Sequence, residues 1–322
     1  MTLQQLSYVI AISETGSLNR AAERLYVSQP TLTAAVKELE KELGIVLFNR
    51  GGRGTSLTAE GLAFLPYARS VIMQYRSLMD VYGKGERRRE KFAVSTQHYS
   101  FAVKAFVEMV REYDVAQYEF ALRETRTRQV IDDVAAARSE IGILYISDFN
   151  RRALGKLLKD NGLEFTHLIT CSAFVYLWKG HPLAARDALT LKDLEPYPCL
   201  CFEQGEDSSF YLAEEILSTN EYPRLIRCSD RATMLNLMVG LGGYTLCSGI
   251  ICEELNGSDY RAVPYREDAE NPNSRMDIGF ITRKNALLSQ PGEKYISELR
   301  RYLSADQNAR EERRNLDSYA AE

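Results

Sequence analysis

Short hydroxyl and amide side chains crowd the start of a predicted helix in the stretch LYVSQPTLTAAVKELEKELG, residues 25–44. Proline favours the first turn of a helix because it lacks an amide hydrogen, so Ser28 or Gln29 is expected to cap the helix. Hydroxyls, amides and methyl groups beside a lysine are the groups with which a helix in the major groove contacts base edges and phosphates. The candidate DNA contacts here are Ser28, Gln29, Pro30, Thr31, Thr33 and Lys37.

The other face of this helix is apolar, with Leu32, Val36 and Leu39 at spacings of three and four that predict packing. A solvated helix would show a similar polar side, so this segment alone leaves open whether that side binds DNA or only water. Two shorter predicted helices precede it, the second opening at Ser17, and the three together match a helix-turn-helix arrangement.

The segment GIVLFNRGGRGTSLTAEG predicts a wing that follows the third helix. One short strand is expected over Val46 to Phe48 and a second through Ser56 and Leu57, with a glycine-rich tip between them. Arg50 and Arg53 on this hairpin suit phosphates or a narrow A·T-rich minor groove. The alternative interpretation is that both arginines are solvated hairpin charges.

A long helix capped by Thr58 is predicted next, and the glycines and charges of YGKGERRRE, residues 82–90, predict a hinge after it. We expect this helix to pair with the same helix of a second subunit, because so small a domain offers its apolar stripe no obvious partner. The stripe comprises Leu62, Leu65, Ala68, Ile72, Tyr75 and Met79.

Charge and composition restrict the class of protein. The net charge of −4 is unlike that of a basic nucleic-acid-binding protein, but residues 1–90 carry 12 Lys and Arg against 9 Asp and Glu, so the acidity lies in the remainder. The N-terminus has no basic region ahead of an apolar run, and no run approaches the ~18 apolar residues that span a bilayer. We therefore expect a cytoplasmic protein that does not engage a membrane, with two or three domains in 322 residues.

Residues 1–65 resemble the N-terminal domain of the LysR-type transcriptional regulators. The resemblance is carried by GSLNRAAERLYVSQPTLTAAVKELEKELGIVLFNRGGRGTSLTAEG, in which Gly16-Ser17, Ala21-Ala22, Ser28-Gln29-Pro30, Leu39-Glu40, Leu43-Gly44, Leu47-Phe48, Arg50, Arg53 and Leu57-Thr58 fall at the family spacings. Tyr8 stands where phenylalanine is frequent, and Ala34 where a basic or polar residue is frequent.

The resemblance implies a winged helix-turn-helix, a long linker helix and a two-subdomain α/β effector domain like a periplasmic binding protein. It also implies double-stranded promoter DNA as a partner, a homodimer through the linker helix, and a homotetramer. The alternation of strand patterns such as THLITCSAFVYLW with helix patterns such as SFYLAEEILST in the rest of the chain independently favours a mostly parallel α/β architecture. The predicted domains are residues 1–58, the linker and hinge 59–90, the effector domain 91–303 and a charged tail 304–322.

Ligands of such sheets bind at the carboxyl ends of strands. Ser95, Thr96 and Gln97 occupy a strand-to-helix junction of this type, which favours a small anionic metabolite, although they could cap only their own helix. Thr125 and Thr127 follow another strand. By resemblance, Tyr145 and Thr170 would face the same cleft, and Cys201, Phe202 and Ser229 are weaker ligand-binding candidates.

No catalytic, metal or cofactor site is predicted. The six cysteines show no zinc spacing beyond an isolated Cys199-x-Cys201 and are expected to be free thiols, and the three histidines lie in no nucleophile or metal motif that we recognise. The leading hypothesis is therefore a ligand-responsive DNA-binding regulator that is not an enzyme. The alternative is a small-molecule enzyme or carrier fused to a winged-helix dimerisation module, which would show no salt-sensitive DNA binding.

Overall fold

The computed structural model describes residues 1–51, 54–82, 90–113, 117–205, 209–266 and 274–319. The chain divides near residue 90 into two compact units. The first unit contains α1 Leu3–Thr15, α2 Leu18–Arg24, α3 Gln29–Leu43, β1 Phe48–Gly51, β2 Gly54–Leu57 and α4 Ala59–Tyr82.

Hydroxyl side chains fix the starts of the first three helices. Thr2, Ser17 and Ser28 each accept a hydrogen bond from the backbone N–H three residues on, which satisfies a donor that the helix itself leaves unpaired. On the inner side, Leu32, Val36 and Leu39 of α3 are fully buried in a core shared with α1 and α2. The predicted cap and packing face of α3 are both confirmed.

The wing hairpin starts later than predicted, because the first strand begins at Phe48 rather than Val46. Glu40 of α3 explains the difference: its Oε1 accepts the N–H groups of Leu47 and Phe48 at 2.8 and 3.2 Å. Val46 precedes the strand and is exposed. β1 then pairs with β2 in antiparallel register, Phe48 opposite Leu57.

The apolar residues of α4 divide between two faces. Ala68 and Ile72 are buried against Leu6 of α1, which corrects the prediction that they lack a partner within the unit. Leu65 packs on the core of the first three helices. A separate exposed apolar face, the α4 stripe, comprises Tyr67, Val71, Tyr75, Leu78 and Met79.

The second unit contains two subdomains. Subdomain I comprises β3 Glu90–Thr96, α5 Ser100–Arg111, β4 Tyr118–Glu124, α6 Thr127–Ala135, β5 Ile141–Ile146, α7 Arg151–Asp160, β6 Leu163–Ser172, β12 Arg275–Arg283 and α11 Gln290–Tyr319. Subdomain II comprises β7 Phe174–Trp178, α8 Leu191–Leu194, β8 Cys199–Phe202, β9 Leu225–Cys228, α9 Arg231–Leu241, β10 Tyr244–Cys247, α10 Glu253–Asn256 and β11 Tyr260–Pro264. Helix α11 continues through most of the predicted tail.

Each subdomain is built on a five-stranded mixed sheet, with orders β4-β3-β5-β12-β6 and β11-β7-β10-β8-β9. β3 and β5 are parallel, and β8 is parallel to β9 and β10, but β12 runs antiparallel to both its neighbours and so does β7. The expectation of mostly parallel sheets is therefore wrong. The chain leaves subdomain I after β6 and returns to it through β12, which runs antiparallel to its neighbours β5 and β6.

Three local predictions also change. The stretch THLITCSAFVYLW is two strands, β6 and β7, which belong to different sheets. The stretch SFYLAEEILST, predicted as a helix, holds only a 3-10 turn at Phe210–Leu212, and Leu217 has a positive φ of 61° that interrupts helical geometry. Strand β11 was not predicted. Within the described ranges, no helix is both long and apolar enough to cross a membrane.

Candidate functional site

The first turn of α3 carries a polar surface that side-chain hydrogen bonds hold in place. Ser28 Oγ lies 2.7 Å from Thr31 Oγ1, and Gln29 Nε2 donates to Thr33 Oγ1 at 2.8 Å. Ser28, Pro30 and Thr31 are exposed, and the turn contains no acidic residue. Because a helix N-terminus carries partial positive charge, this surface suits the edge of a nucleic acid.

The cationic candidates lie beside this surface or outside the described residues. Lys37 is exposed one turn beyond Thr33, on the same side of α3. Arg50 lies in β1 with its backbone opposite Thr55, but its side chain and all of Arg53 are outside the described residues. Their contacts with DNA remain predictions.

Tyr26 is an exposed aromatic residue in the turn between α2 and α3. It is 95% exposed and has a φ of +55°, in the left-handed region that a residue with a β-carbon adopts at a cost. Its backbone N–H donates to Glu23 O at 3.1 Å. Sequence reasoning did not select Tyr26, although a bulky residue directly before a predicted helix cap could have been noted as a surface candidate.

A cavity that is open to solvent lies between subdomains I and II. Residues from both subdomains line it: His98, Tyr99 and Met276 from subdomain I, and Tyr176, Phe202, Glu214, Glu215, Arg231, Met234 and Thr245 among those from subdomain II.

One wall of the cavity is a buried ion-pair cluster. His98 Nδ1 lies 2.8 Å from Glu214 Oε2, which also accepts the His98 backbone N–H at 3.0 Å. Gln204 Nε2 donates to the other oxygen of Glu214 at 2.9 Å. The imidazole stacks on Phe202 with ring centroids 3.8 Å apart. The four groups join subdomain I to subdomain II.

Glu215 lies beside this cluster and is 7% exposed. Its Oε1 accepts the Phe202 backbone N–H at 2.7 Å. Burial first, and the neighbouring charge of Glu214 second, raise the pKa of the Glu215 carboxyl from an ordinary 4.5 to about 8. At neutral pH this side chain is therefore largely a neutral acid.

A further wall combines a cation with uncharged polar groups. Arg231 forms a salt bridge with Glu124 of subdomain I and donates to Asn256 Oδ1 at 3.3 Å. Tyr176 and Thr245 are opposite one another in the β7–β10 register, so both side chains project from the same face of the sheet. Both are buried and both line the cavity.

Comparison with known proteins assigns the fold to a family. Residues 3–62 match the family model "Bacterial regulatory helix-turn-helix protein, lysR family", and residues 116–304 match "LysR substrate binding domain". The chain belongs to the LysR family of DNA-binding transcriptional regulators with an effector-binding domain. Both halves match regulators, which leaves the alternative of a fused enzyme or carrier without support.

Several relatives match this LysR-family protein in sequence over most of its length. An uncharacterized HTH-type transcriptional regulator of Bacillus subtilis, YvbU, is 27% identical over 289 residues, 84% of this chain and 94% of its own. The regulator AlsR of the same organism is 28% identical over 214 residues, 66% of this chain and 68% of its own. Full-length OxyR from Pseudomonas aeruginosa superposes with a TM-score of 0.61 at 18% identity, covers 94% of both chains, and shares the fold.

The predicted junction residues of this LysR-family regulator are occupied by internal bonds. Ser95 Oγ donates to Asp133 Oδ2 at 2.6 Å, and Thr96 Oγ1 donates to the Gln97 carbonyl at 2.8 Å. Gln97 Nε2 donates to Thr127 Oγ1 at 2.5 Å, while its Oε1 accepts the Tyr145 backbone N–H at 3.1 Å. These side chains lie behind the cavity wall rather than on it.

The other residues that follow strands of subdomain I are also placed behind the cavity wall. Thr125 is half-buried, and its backbone N–H donates to the Thr96 carbonyl at 2.9 Å. Thr127 is buried, and its backbone N–H donates to Gln204 Oε1 at 3.1 Å. Tyr145 is buried and its hydroxyl donates to the Glu215 carbonyl at 3.2 Å, so it holds the backbone of the segment that carries Glu214 and Glu215.

Thr170 does not face the cleft with Tyr145. Ile278 is opposite Tyr145 in the β12–β5 register, whereas the adjacent Asp277 is opposite Thr170 in the β12–β6 register. Since successive side chains of a strand point to opposite faces, Thr170 and Tyr145 lie on opposite faces of the sheet. Thr170 is exposed and donates to Asp277 Oδ1 at 2.7 Å.

The candidates in subdomain II divide. Phe202 lines the cavity and stacks on His98. Cys201 is half-buried, and burial raises the pKa of its thiol to about 12, so it remains a neutral thiol. Ser229 is exposed and lies beside Asp230, the N-cap residue of α9. All six cysteines are free, and in the part of the chain described no group of three or more His, Cys, Asp or Glu side chains could hold a metal ion.

Sequence reasoning missed most of the polar cavity lining, namely Tyr176, Glu214, Glu215, Arg231, Thr245 and Asn256. One signal was available for Arg231, which opens helix α9 shortly after strand β9 ends, at the type of junction that drew attention to Ser95, Thr96 and Gln97. The Glu214-Glu215 pair offered no such signal, because its segment had been assigned to a helix, on which paired acids are ordinary solvated residues.

Proposed function

We propose that this chain binds dyad-symmetric promoter DNA through the N-terminal end of α3 and the β1–β2 wing. In this proposal Ser28, Gln29, Pro30, Thr31 and Thr33 contact bases or the groove edge, and Lys37, Arg50 and Arg53 contact phosphates. A small molecule that binds between subdomains I and II changes the DNA-bound arrangement. Because the target is chromosomal, the protein acts in the cytoplasm. The proposed domains are 1–58, 59–90 and 91–303, with 304–322 as a tail.

The observation that carries the DNA-binding proposal is the polar first turn of α3. Its side chains bond one another in the Ser28–Thr31 and Gln29–Thr33 pairs, and exchange of these bonds for bonds to bases costs little. The buried face of the same helix is fixed by Leu32 and Val36, which holds the polar face in one orientation. A rigid helix with exchangeable polar groups is what base readout requires.

The proposed assembly is a homodimer through α4, and a homotetramer from two such dimers. The exposed α4 stripe is a row of apolar side chains at spacings of three and four, which suits helix–helix packing. A two-fold axis through this contact would present two α3 helices to two half-sites of one duplex.

Exchange of two α3 side chains for alanine tests the DNA contacts. Thr33→Ala should lower the preference for cognate over scrambled duplex by about 1 kcal/mol or more, because it removes a base-edge contact. Lys37→Ala should weaken binding to both duplexes alike and reduce the slope of log K against log salt by about 1. Binding is measured by fluorescence anisotropy over a range of salt concentrations.

Lys41→Ala is the matched control, since Lys41 is exposed on the last turn of α3, far from the reading end. It should change neither quantity as much as Lys37→Ala does. Equal losses on both duplexes for Thr33→Ala would contradict its role in readout. Duplex binding that is insensitive to salt, or unaffected by the double change of Arg50 and Arg53 to Ala, would contradict the DNA-binding arrangement as a whole.

A further inference from the structure

We propose that the cavity between subdomains I and II binds a small organic amine, whose protonated amino group pairs with the carboxylates of Glu214 and Glu215. The inference rests on the proposed function for its link to transcription, and it differs from the anion that the sequence favoured. The two carboxylates, an unpartnered tyrosine hydroxyl on a neighbouring wall, and the balance of charge around the cavity support it independently.

Glu215 is the first observation, because it is a buried acid that no cation balances. Among the described residues its carboxylate forms no salt bridge, and its donors are backbone N–H groups, that of Phe202 at Oε1 and those of Glu214 and Glu215. The ionisable groups around it are Glu214, Tyr99, Tyr145, Cys199, Cys201, Tyr222 and Cys228. None of these is a cation, whereas buried carboxylates are normally paired or protonated.

Glu214 accepts hydrogen bonds on both oxygens, and among the described residues the one ionisable donor is His98. The imidazole carries at most one positive charge, which leaves none for Glu215 when that acid ionises. A ligand ammonium would balance the ionised Glu215, because it offers three N–H donors and one full charge.

Tyr176 supplies the second observation. The residue is 5% exposed, lines the cavity, and its hydroxyl has no hydrogen-bond partner of ordinary geometry among the described residues. Burial raises the pKa of this hydroxyl, and the nearby Asn256 side chain lowers it in part. A buried hydroxyl without a partner costs stability, so its retention at a cavity wall points to a ligand group that it binds.

The cavity charge disfavours a simple anion. Arg231 is the cation on the wall, and it is already paired with Glu124 across the subdomain boundary. Glu214 lies on the same cavity, and Glu215 beside it ionises only against the cost of its burial. A carboxylate ligand would therefore have to displace Glu124 from Arg231 near the Glu214 carboxylate, whereas an ammonium breaks no salt bridge and favours the ionised form of Glu215.

The remaining wall of the cavity is apolar, so the uncharged part of the ligand is expected to be apolar too. Side chains of methionine, leucine and isoleucine surround the polar groups: Met234, Leu235, Leu246, Ile250, Ile251 and Met276. Because the cavity is open to solvent, the alkyl or aryl body of an amine can extend along this apolar wall towards the opening. An amino acid would place its carboxylate at the far polar wall, formed by Tyr176 and Arg231, whereas a simple amine would place no charged group there.

Two matched series of probes test the inference by isothermal titration calorimetry on the full-length protein. The first is 2-phenylethylamine, phenylalanine and 3-phenylpropanoate, and the second is isopentylamine, leucine and 4-methylpentanoate. Each series keeps its apolar body and changes only the charged groups, so a misfit of one body does not decide the result. At least one ammonium-bearing compound should bind, and the two carboxylate-only acids should bind at least tenfold more weakly. Tighter binding of the amino acid than of the amine assigns its carboxylate to the far wall.

Amine binding should also release a proton and depend on the acid pair. Because Glu215 must ionise to pair with the amine, the affinity should rise up to about tenfold per pH unit and level off near pH 8. Glu215→Gln should weaken amine binding by about tenfold or more and abolish the proton release, and Tyr176→Phe should weaken it about fivefold. Glu221→Gln, an exposed acid in the same loop region, is the matched control and should change nothing.

Preferential binding of the carboxylates, affinity that falls as pH rises, or no binding by any ammonium compound at about 10 mM would overturn the inference. Binding that Glu215→Gln leaves unchanged would place the amine elsewhere and also overturn it. The salt-dependent duplex binding of the ligand-free protein is measured separately. If that binding is intact while the amines fail, the regulator assignment stands and only the ligand class is wrong.

Discussion

Replacement of Glu215 by glutamine should remove most of the pH dependence of the effector unit's stability near neutral pH. Burial, with the charge of Glu214 second, raises the pKa of the Glu215 carboxyl in the folded protein to about 8. An acid with a raised pKa contributes stability that is present below its unfolded pKa and is lost as the pH rises through the folded pKa. Glutamine keeps the shape of the neutral acid but does not titrate.

The expected magnitude follows from the two pKa values. A rise from 4.5 to about 8 corresponds to about 5 kcal/mol, at about 1.4 kcal/mol for each pH unit. Part of this change in stability falls outside the range from about pH 5 to pH 8. Within that range, we expect the ionisation of Glu215 to lower the wild-type free energy of unfolding by about 3 to 4 kcal/mol. Glu215 is only 7% exposed, so solvent screening reduces this value little.

Urea unfolding at a series of pH values measures the effect. Trp178 is the only tryptophan in the sequence and lies in β7, so its fluorescence follows subdomain II and not the DNA-binding unit. Subtraction of the Glu215→Gln curve from the wild-type curve isolates the contribution of this one group, and Glu221→Gln serves as the exposed control. Parallel wild-type and Glu215→Gln profiles would refute the account of Glu215 as a buried neutral acid.

Three further perturbations concern the first unit. Gly61→Ala should destabilise it by about 1 to 3 kcal/mol in urea melts followed by circular dichroism, because a β-carbon would lie 2.1 Å from the Leu47 carbonyl oxygen. Gly155→Ala is the control, since a β-carbon there would meet no other atom, and it should not destabilise the protein. Equal effects of the two substitutions would contradict the clash at Gly61. Tyr26→Gly should relieve about 1 kcal/mol of left-handed strain while weakening duplex binding, and a loss of stability would argue against the strain. Val71→Asp on the α4 stripe should shift the sedimentation profile toward monomer, and an unchanged profile would exclude this stripe from the dimer contact.

The first unit could be predicted closely because its signals are local. Ser28 and Pro30 fix the start of α3 through bonds and dihedrals that span three residues, and Leu32 and Val36 mark its buried face by spacing alone. The errors arose where a distant group intervened. Glu40 accepts the amides that were expected to extend the first wing strand, and this bond depends on how α3 is placed rather than on the pattern of the strand.

The cavity could be predicted only in outline for the same reason. The strand-end rule selected a junction of subdomain I next to the cavity, but Ser95 and Gln97 are bonded within the subdomain and do not line the cavity. Which face Thr170 occupies depends on the β12–β6 register, which no local pattern of either strand specifies. Glu214 acquires its role from His98, 116 residues earlier in the chain, so its own sequence neighbourhood carries no sign of it.

These long-range contacts also bear on how a ligand could act. Subdomains I and II are joined by charged pairs, His98–Glu214, Glu124–Arg231, Arg126–Glu203 and Lys104–Glu254. Partly exposed pairs such as Arg126–Glu203 contribute at most about 1 kcal/mol each, so the closed arrangement depends on the buried acid cluster more than on the rim. A ligand that changes the ionisation of Glu215 alters the energy of that cluster directly. Such a ligand would shift the effector domain between two arrangements only by as much as its affinities for the two differ.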